Sequence, residues 1–300
     1  MKIAALSYSY SRDSYANIGD WFQTLAVEQH LPRVDFYIDR DQLSEYDGEQ
    51  CILVMNGWFS HRPKAWPPSN KIIPIFHGFH MADEAAKHYR DHVNYFRKYE
   101  PIGCRDRGTM EIMESWGIDS YLSFCCTLTF PQRESGAYGD ITVLTDVPRY
   151  VRGPSKREKP IKVQHEIPAI DTLSLRGYAI ALLDFYRSRA RELATSRIHA
   201  AMPCIAMGIP TVFIGKKFDR RNNILKDIGI PDRYIINRRD WRNWKRLQSL
   251  SPNDFFTGPL NIKNEIEERL RERLAEYVEL NQRKLGAGEN TNPSATAETR

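Results

Sequence analysis

The feature that most constrains this chain is an alternation of short Ile- and Val-rich runs with longer amphipathic segments, sustained almost from end to end. Runs that read as strands lie at 2–7, 34–38, 51–55, 72–76 and 102–105. Between them, 18–30, 82–99 and 106–116 carry helical spacing, with Trp21, Leu25 and Gln29 marking the expected buried face of the first and Gly117 closing the last. The pattern pauses over the polar stretch 131–138 and restarts. Strands are then expected at 141–145, 161–165, 193–196 and 211–214, with helices at 172–189 and at 198–207, the latter ended by Gly208. Weaker signals follow at 234–236 and 239–247, and then a charged helix at 261–284. Strands that alternate with helices pack as parallel sheets covered on both faces. Two such series predict an α/β chain of two Rossmann-like domains facing each other across a cleft. The first spans 1–133, the second spans 139–285 and includes the C-terminal helix, and 286–300 reads as a disordered tail.

Composition narrows the class. With 41% hydrophobic and 27% charged residues over 300 positions, the chain can bury a core without disulfide or metal staples. Its 43 Lys and Arg against 38 Asp and Glu leave only +5, too little for a dedicated nucleic-acid binder, so no nucleic-acid partner is expected. That charge is compatible with phosphorylated small molecules or an anionic membrane surface. Five cysteines without a CxxC pair suggest neither a disulfide framework nor a zinc site, and favour a reducing, cytoplasmic setting. The first residues turn polar too soon for a signal peptide. The longest uncharged stretch, 200–215, is interrupted by Pro203, Gly208 and Pro210 and is too short to span a bilayer.

No GxxxxGK[ST], strand-borne GxGxxG, GxSxG or HExxH is present. In parallel sheets ligands bind beyond the carboxyl ends of the strands, so the loops there hold the candidates. Asn17-Ile18-Gly19-Asp20 lies where the first strand's loop becomes a helix. Gly19 admits a ligand to the backbone, and Asp20 either complements the helix dipole or takes a proton from a hydroxyl; the alternative is plain capping by Asn17 and Asp20. Arg105-Asp106-Arg107 ends a strand and opens a helix. There two arginines can fork onto a phosphate or carboxylate, or Asp106 simply caps the helix beside a surface ion pair. Ser196-Arg197-Ile198-His199 places a cation, an imidazole and a helix N-terminus together, which suits an anionic ligand and a titrating acid or base.

Other features read more plainly. His77-Gly78-Phe79-His80 follows a strand, so His77 is a candidate to line the cleft. With no carboxylate or cysteine cluster beside this pair, no metal site is expected. Asp39-Arg40-Asp41 reads as a turn rather than a metal-binding DxD, and Cys125-Cys126 as buried packing. Lys216-Lys217 and the stretch 238–246 with Trp241 and Trp244 form a basic, aromatic face. It reads as a solvated helix, with peripheral contact to a lipid-phosphate or membrane surface as the functional alternative.

Taken together and in order, these segments resemble the polysaccharide pyruvyl transferase family. The resemblance rests on Asn17-Ile18-Gly19-Asp20 with Gln23-Thr24-Leu25-Ala26, on Gly103-Cys104-Arg105-Asp106-Arg107-Gly108-Thr109, on Thr127-Leu128-Thr129, and on Thr195-Ser196-Arg197-Ile198-His199-Ala200 with Gly208-Ile209-Pro210. Cys125-Cys126 departs from it, standing where many members carry an Asp-Pro-like pair. The resemblance implies a GT-B-like fold and transfer of pyruvate from phosphoenolpyruvate to a sugar diol of a polysaccharide or its lipid-linked precursor, giving a cyclic ketal. It implies no cofactor and no metal. Arg105 and Arg197 would hold the donor with Arg107 as helper, Ser196, Asn17, Gly19 and His77 would complete the binding residues, His199 would be the general acid/base, and Asp20 a base or orienter. Two other classes fit the same layout: a nucleotide-sugar-dependent glycosyltransferase, and a non-catalytic relative that binds a glycan or lipid phosphate.

Overall fold

The computed structural model describes residues 1–10, 13–134, 136, 139–154, 158–215, 223–258 and 260–288. Lys216-Lys217, part of the 131–138 stretch and the tail beyond residue 288 lie outside the described residues. The first half runs β1 (Lys2–Ser7), β2 (Tyr15–Asn17), α1 (Ile18–Glu28), β3 (Phe36–Asp39), β4 (Cys51–Trp58) and β5 (Ile72–His80). It continues through α2 (Asp83–Arg90), α3 (Val93–Arg97), β6 (Ile102–Cys104), α4 (Arg107–Ser115) and β7 (Ser120–Leu122). Six of these strands form one parallel sheet in the order β3-β1-β4-β5-β6-β7. The central strands are apolar on both faces: every residue from Cys51 to Met55 is buried, as a strand covered by layers on either side requires.

The second half supplies β8 (Ile141–Thr145), β9 (Ile161–Val163), β10 (Glu166–Pro168), α5 (Thr172–Arg189), β11 (Ala190–Thr195), α6 (Ile198–Ala206) and β12 (Thr211–Gly215). After α7 (Ile224–Asp227) come β13 (Ile235–Asn237), α8 (Trp244–Leu247) and α9 (Lys263–Gly288). Five strands build a second parallel sheet, β13-β12-β11-β8-β9. The chain is thus mixed α/β with Rossmann-like parallel sheets. In each sheet the crossovers reverse direction at one point, between β1 and β4 in the first and between β8 and β11 in the second. Such reversals open a crevice beyond the strand ends.

Elements from the two halves interlock. β2 pairs antiparallel with β10, Asn17 opposite Glu166, and the ribbon is extended by hydrogen bonds from Ile18 N to His165 O (2.8 Å) and from Ala169 N to Ser14 O (3.1 Å). α1 touches the first sheet on one side and α5 and α6 on the other. This explains one difference from the sequence expectation: α1 is buried nearly all round, Leu25 is only partly covered, and Gln29 is exposed. The expected helix at 82–99 is broken into α2 and α3, while α9 runs to Gly288, four residues past its expected end and three into the stretch expected to be disordered. α9, expected with the second half, places Ile266 in a cluster with Ile198, Phe213 and Ile224 and also lies on β5 and on the 126–129 turn, where Lys263 Nζ donates to Phe130 O at 3.3 Å.

Candidate active site

A cavity of about 240 Å³ opens beyond the strand ends, lined by residues of both halves. From the first half come Tyr10 after β1, Asn17 at the end of β2, Asp20 in the first turn of α1, Arg40 after β3, Trp58 and His61 at and just past the end of β4, and Arg105 after β6. From the second come Glu166 on β10, with Arg197 and His199 at the start of α6. Three arginines, two histidines and three carboxylates, Asp13 included, therefore share one opening.

Arg105 is the least satisfied of these groups. It is 0% exposed, and none of its three guanidinium nitrogens has a hydrogen-bond partner among the described residues. Its nearest carboxylate is Asp106, whose Oδ2 lies 3.6 Å from Nε. Asp106 itself is well occupied: Thr109 N and Oγ1 donate to Oδ1, and His80 Nδ1 lies 2.6 Å from Oδ2. Burial by itself would raise the Asp106 pKa, but His80 and Arg105 outweigh it and bring it down to about 2. Asp106 thus caps α4 and at the same time faces Arg105 as an anion. A buried guanidinium with five donors and no acceptor costs several kcal/mol by order of magnitude, about 1–3 for each unmet polar group. An anion entering the cavity would remove that cost.

Arg197 and His199 are fixed by their surroundings. Arg197 Nε donates to Asp146 Oδ2 (2.6 Å) and its Nη2 to Glu166 Oε2 (2.7 Å). Asp146 stands at the end of β8 with φ of 52°, and Tyr10, which lines the cavity, has φ of 48°. Both are left-handed conformations that cost a non-glycine residue about 1–3 kcal/mol. His199 is 7% exposed and packs against the first turn of α1. A Cβ on Gly19 would sit 2.9 Å from His199 Cβ, so only glycine lets the two helix N-termini approach this closely.

Asp20 is the centre of a buried polar group. Tyr10 Oη (2.6 Å) and Arg40 Nη1 (3.0 Å) donate to its Oδ2, while Asn17 Nδ2 (3.2 Å) and Gln23 Nε2 (3.3 Å) donate to its Oδ1. Arg40 also donates to Asp41, whose Oδ2 lies 2.8 Å from His61 Nδ1. Both oxygens of Asp20 are taken, so it holds Tyr10 and Arg40 in place against the cavity. Asn17 caps α1 through Gly19 N (3.2 Å) as well as facing the cavity, so the capping reading and the lining reading are both true of it.

Three candidates lie apart. Arg107 is 60% exposed in its side chain and pairs with Asp227 at 3.1 Å, away from the cavity wall. Ser196 donates to Asp146 O (2.7 Å), which ties the loop after β8 to the loop after β11 instead of facing the opening. His77 does not line the cleft: it is 0% exposed behind Tyr121, and burial, aided by the nearby cations His30, Arg269 and Arg273, lowers its pKa to about 3. The strand that was expected to end at residue 76 runs on to His80, which carries His77 inside the sheet.

Sequence reading passed over Tyr10, Arg40, Trp58, His61 and Glu166. Arg40 was visible only as the centre of a turn-like Asp39-Arg40-Asp41. In the structure it starts a 3-10 helix and is buried under Tyr8 and Trp58, with its guanidinium carbon 5.0 and 5.9 Å from their ring centres. The one available signal was position, since Arg40 and Trp58 stand at strand ends beside the crossover reversal. Among the described residues no group of three or more His, Cys, Asp and Glu is placed to hold a metal ion.

The family model described as polysaccharide pyruvyl transferase matches residues 17–216. The chain belongs to that family. The matched span holds Asn17, Gly19, Asp20, Arg40, Arg105, Arg197 and His199, so a pyruvyl transferase family model covers most of the cavity wall. No curated protein matches the chain. Among solved structures, a functionally uncharacterised protein from Klebsiella pneumoniae is similar at 12% identity and a TM-score of 0.45, over 78% of this chain and 90% of its own.

Proposed function

We propose that this member of the polysaccharide pyruvyl transferase family transfers pyruvate from phosphoenolpyruvate to two hydroxyls of a sugar, forming a cyclic ketal, on a glycan or lipid-linked acceptor at the cytoplasmic side of a membrane. The observation that carries this reading is the buried, unsatisfied guanidinium of Arg105 in a cavity it shares with Arg197 and His199. Phosphoenolpyruvate brings a carboxylate and a phosphate, and forked contacts from Arg105 and from Arg197 complement both.

In this scheme His199, as imidazolium, gives a proton to the methylene carbon of the enol phosphate, which becomes a methyl group and leaves positive charge shared between the central carbon and its ester oxygen. A sugar hydroxyl adds to that carbon, and its proton returns to His199. The carbon–oxygen bond to phosphate then breaks, and the second hydroxyl closes the ketal while its proton leaves with inorganic phosphate. The arginines stabilise the departing phosphate charge. Asp20 serves by orienting Tyr10 and Arg40 toward the acceptor side. The test is phosphate release from phosphoenolpyruvate that depends on a glycan acceptor. His199→Ala should lose about 10²- to 10⁴-fold in turnover, and full turnover in that variant would remove His199 from the chemistry.

A further inference from the structure

On the rim formed by the strand ends of the second sheet, the chain after β13 turns through the 3-10 helix Trp241–Asn243 into α8. Leu247 and Leu250 are buried below it and anchor the turn in a small core with Val151 and Phe255. Above that anchor the side chains point the other way. Trp241 is 83% exposed and Trp244 47%, the latter packed at 4.3 Å between ring centres on Tyr150. Tyr150 belongs to the segment after β8, which Arg152 N ties to α8 through Leu247 O (3.0 Å).

Among the described residues, the unpaired charges around these indoles are of one sign. Arg149, Arg152, Arg239 and Lys245 are exposed, and none is paired with a carboxylate among the described residues. The acids within the turn are already taken: Asp240 by Arg242 at 2.7 Å, and Asp254, below it, by Arg246 at 2.6 Å. Exposed indoles flanked by unneutralised arginine and lysine suit the headgroup region of an anionic bilayer, where the ring sits at the polar–apolar boundary and the cations meet lipid phosphates. The expected solvated helix forms as two short turns, Trp241–Asn243 and Trp244–Leu247, too short to hide either tryptophan on an inner face.

We infer that this rim, led by Trp241 and Trp244 with Arg149, Arg152, Arg239 and Lys245, is a docking surface for an anionic phospholipid membrane. Arg149 follows Asp146, the partner of Arg197, by three positions, so a chain seated on this rim keeps the cavity beside the bilayer surface. The inference stands on exposure and charge and does not depend on the identity of the donor.

The test is sedimentation of the full chain with vesicles of phosphatidylcholine alone and of phosphatidylcholine mixed with phosphatidylglycerol, in low and high salt. Binding is expected only to the anionic vesicles, with a blue shift of indole emission, and should weaken as salt rises. Trp241→Ala should remove most of the blue shift, and Lys245→Glu should weaken binding by at least about fivefold. Both sites are exposed, so the variants should keep the Tm of the parent. Equal binding to neutral vesicles, no binding to either, unchanged binding by both variants, or a preference for an RNA oligonucleotide over vesicles would overturn the inference.

Discussion

Arg105 sets the residue-scale problem. A guanidinium without an acceptor at 0% exposure destabilises the unliganded fold, and the fold tolerates it because the Asp106 carboxylate, held in place by His80, lies 3.6 Å behind it. Replacing Arg105 by a neutral residue of similar length should therefore stabilise the empty protein while removing its affinity for an anion. Because His80 and Thr109 still satisfy Asp106 when the unmet donors are removed, Arg105→Met is expected to raise the unfolding free energy in denaturant titration by about 1–3 kcal/mol. The same variant should lose stabilisation by phosphoenolpyruvate. A variant that is less stable than the parent and still gains stability from phosphoenolpyruvate would show that Arg105 serves the fold and not the ligand. Local sequence showed that Arg105-Asp106 could either cap or bind, and the structure has both at once, the acid capping α4 and the base facing the cavity. What a linear reading could not supply was the burial of Arg105, which depends on packing from distant segments.

At the scale of elements, two buried histidines link strand ends to helices. His165 precedes β10 and lies between Phe22 on α1 and Tyr186 on α5, with its Nε2 2.9 Å from Tyr186 Oη. Burial, with Arg197 nearby, lowers its pKa to about 3, and burial lowers that of His77 equally to about 3. Both stay neutral in the folded chain but take up a proton near pH 6.5 once unfolded. Their contribution is fully present above about pH 6.5, is eroded as the pH falls below it, and is lost by about 3. At pH 5 each histidine should cost about 2 kcal/mol relative to neutral pH. Chemical denaturation at pH 7.5 and pH 5 checks this: His77→Phe should shrink the difference by about 2 kcal/mol, and an unchanged difference would show that His77 titrates normally in the fold.

Elements also mark how far the sequence was readable. Lys2–Ser7, Ile141–Thr145 and Thr172–Arg189 form at their expected bounds because periodicity and the residues bounding each segment agree there. The ribbon of β2 and β10 was not readable, since three-residue strands carry no usable period and pair across about 150 positions of sequence (Asn17 with Glu166). It is nonetheless this ribbon that brings Glu166 beside Arg197. The extension of β5 to His80 was hidden by its polar, glycine-bearing end, and that is why His77 was expected in the cleft.

For the whole molecule, the function proposed here depends on loops beyond the strand ends of both sheets that meet at one cavity. Each sheet supplies a part, Arg105 from the first and Arg197 and His199 from the second, with Gly19 allowing close contact between α1 and α6. No helix of the described residues is long and apolar enough to cross a membrane. A ligand that binds only the folded state raises its stability in proportion to the logarithm of ligand over dissociation constant. Thermal unfolding of the intact chain with phosphoenolpyruvate, or with UDP- and GDP-sugars in its place, is thus the most direct measurement. The account predicts a Tm that climbs with phosphoenolpyruvate concentration and does not move with nucleotide sugars; a Tm that ignores phosphoenolpyruvate and rises with a nucleotide sugar would contradict it.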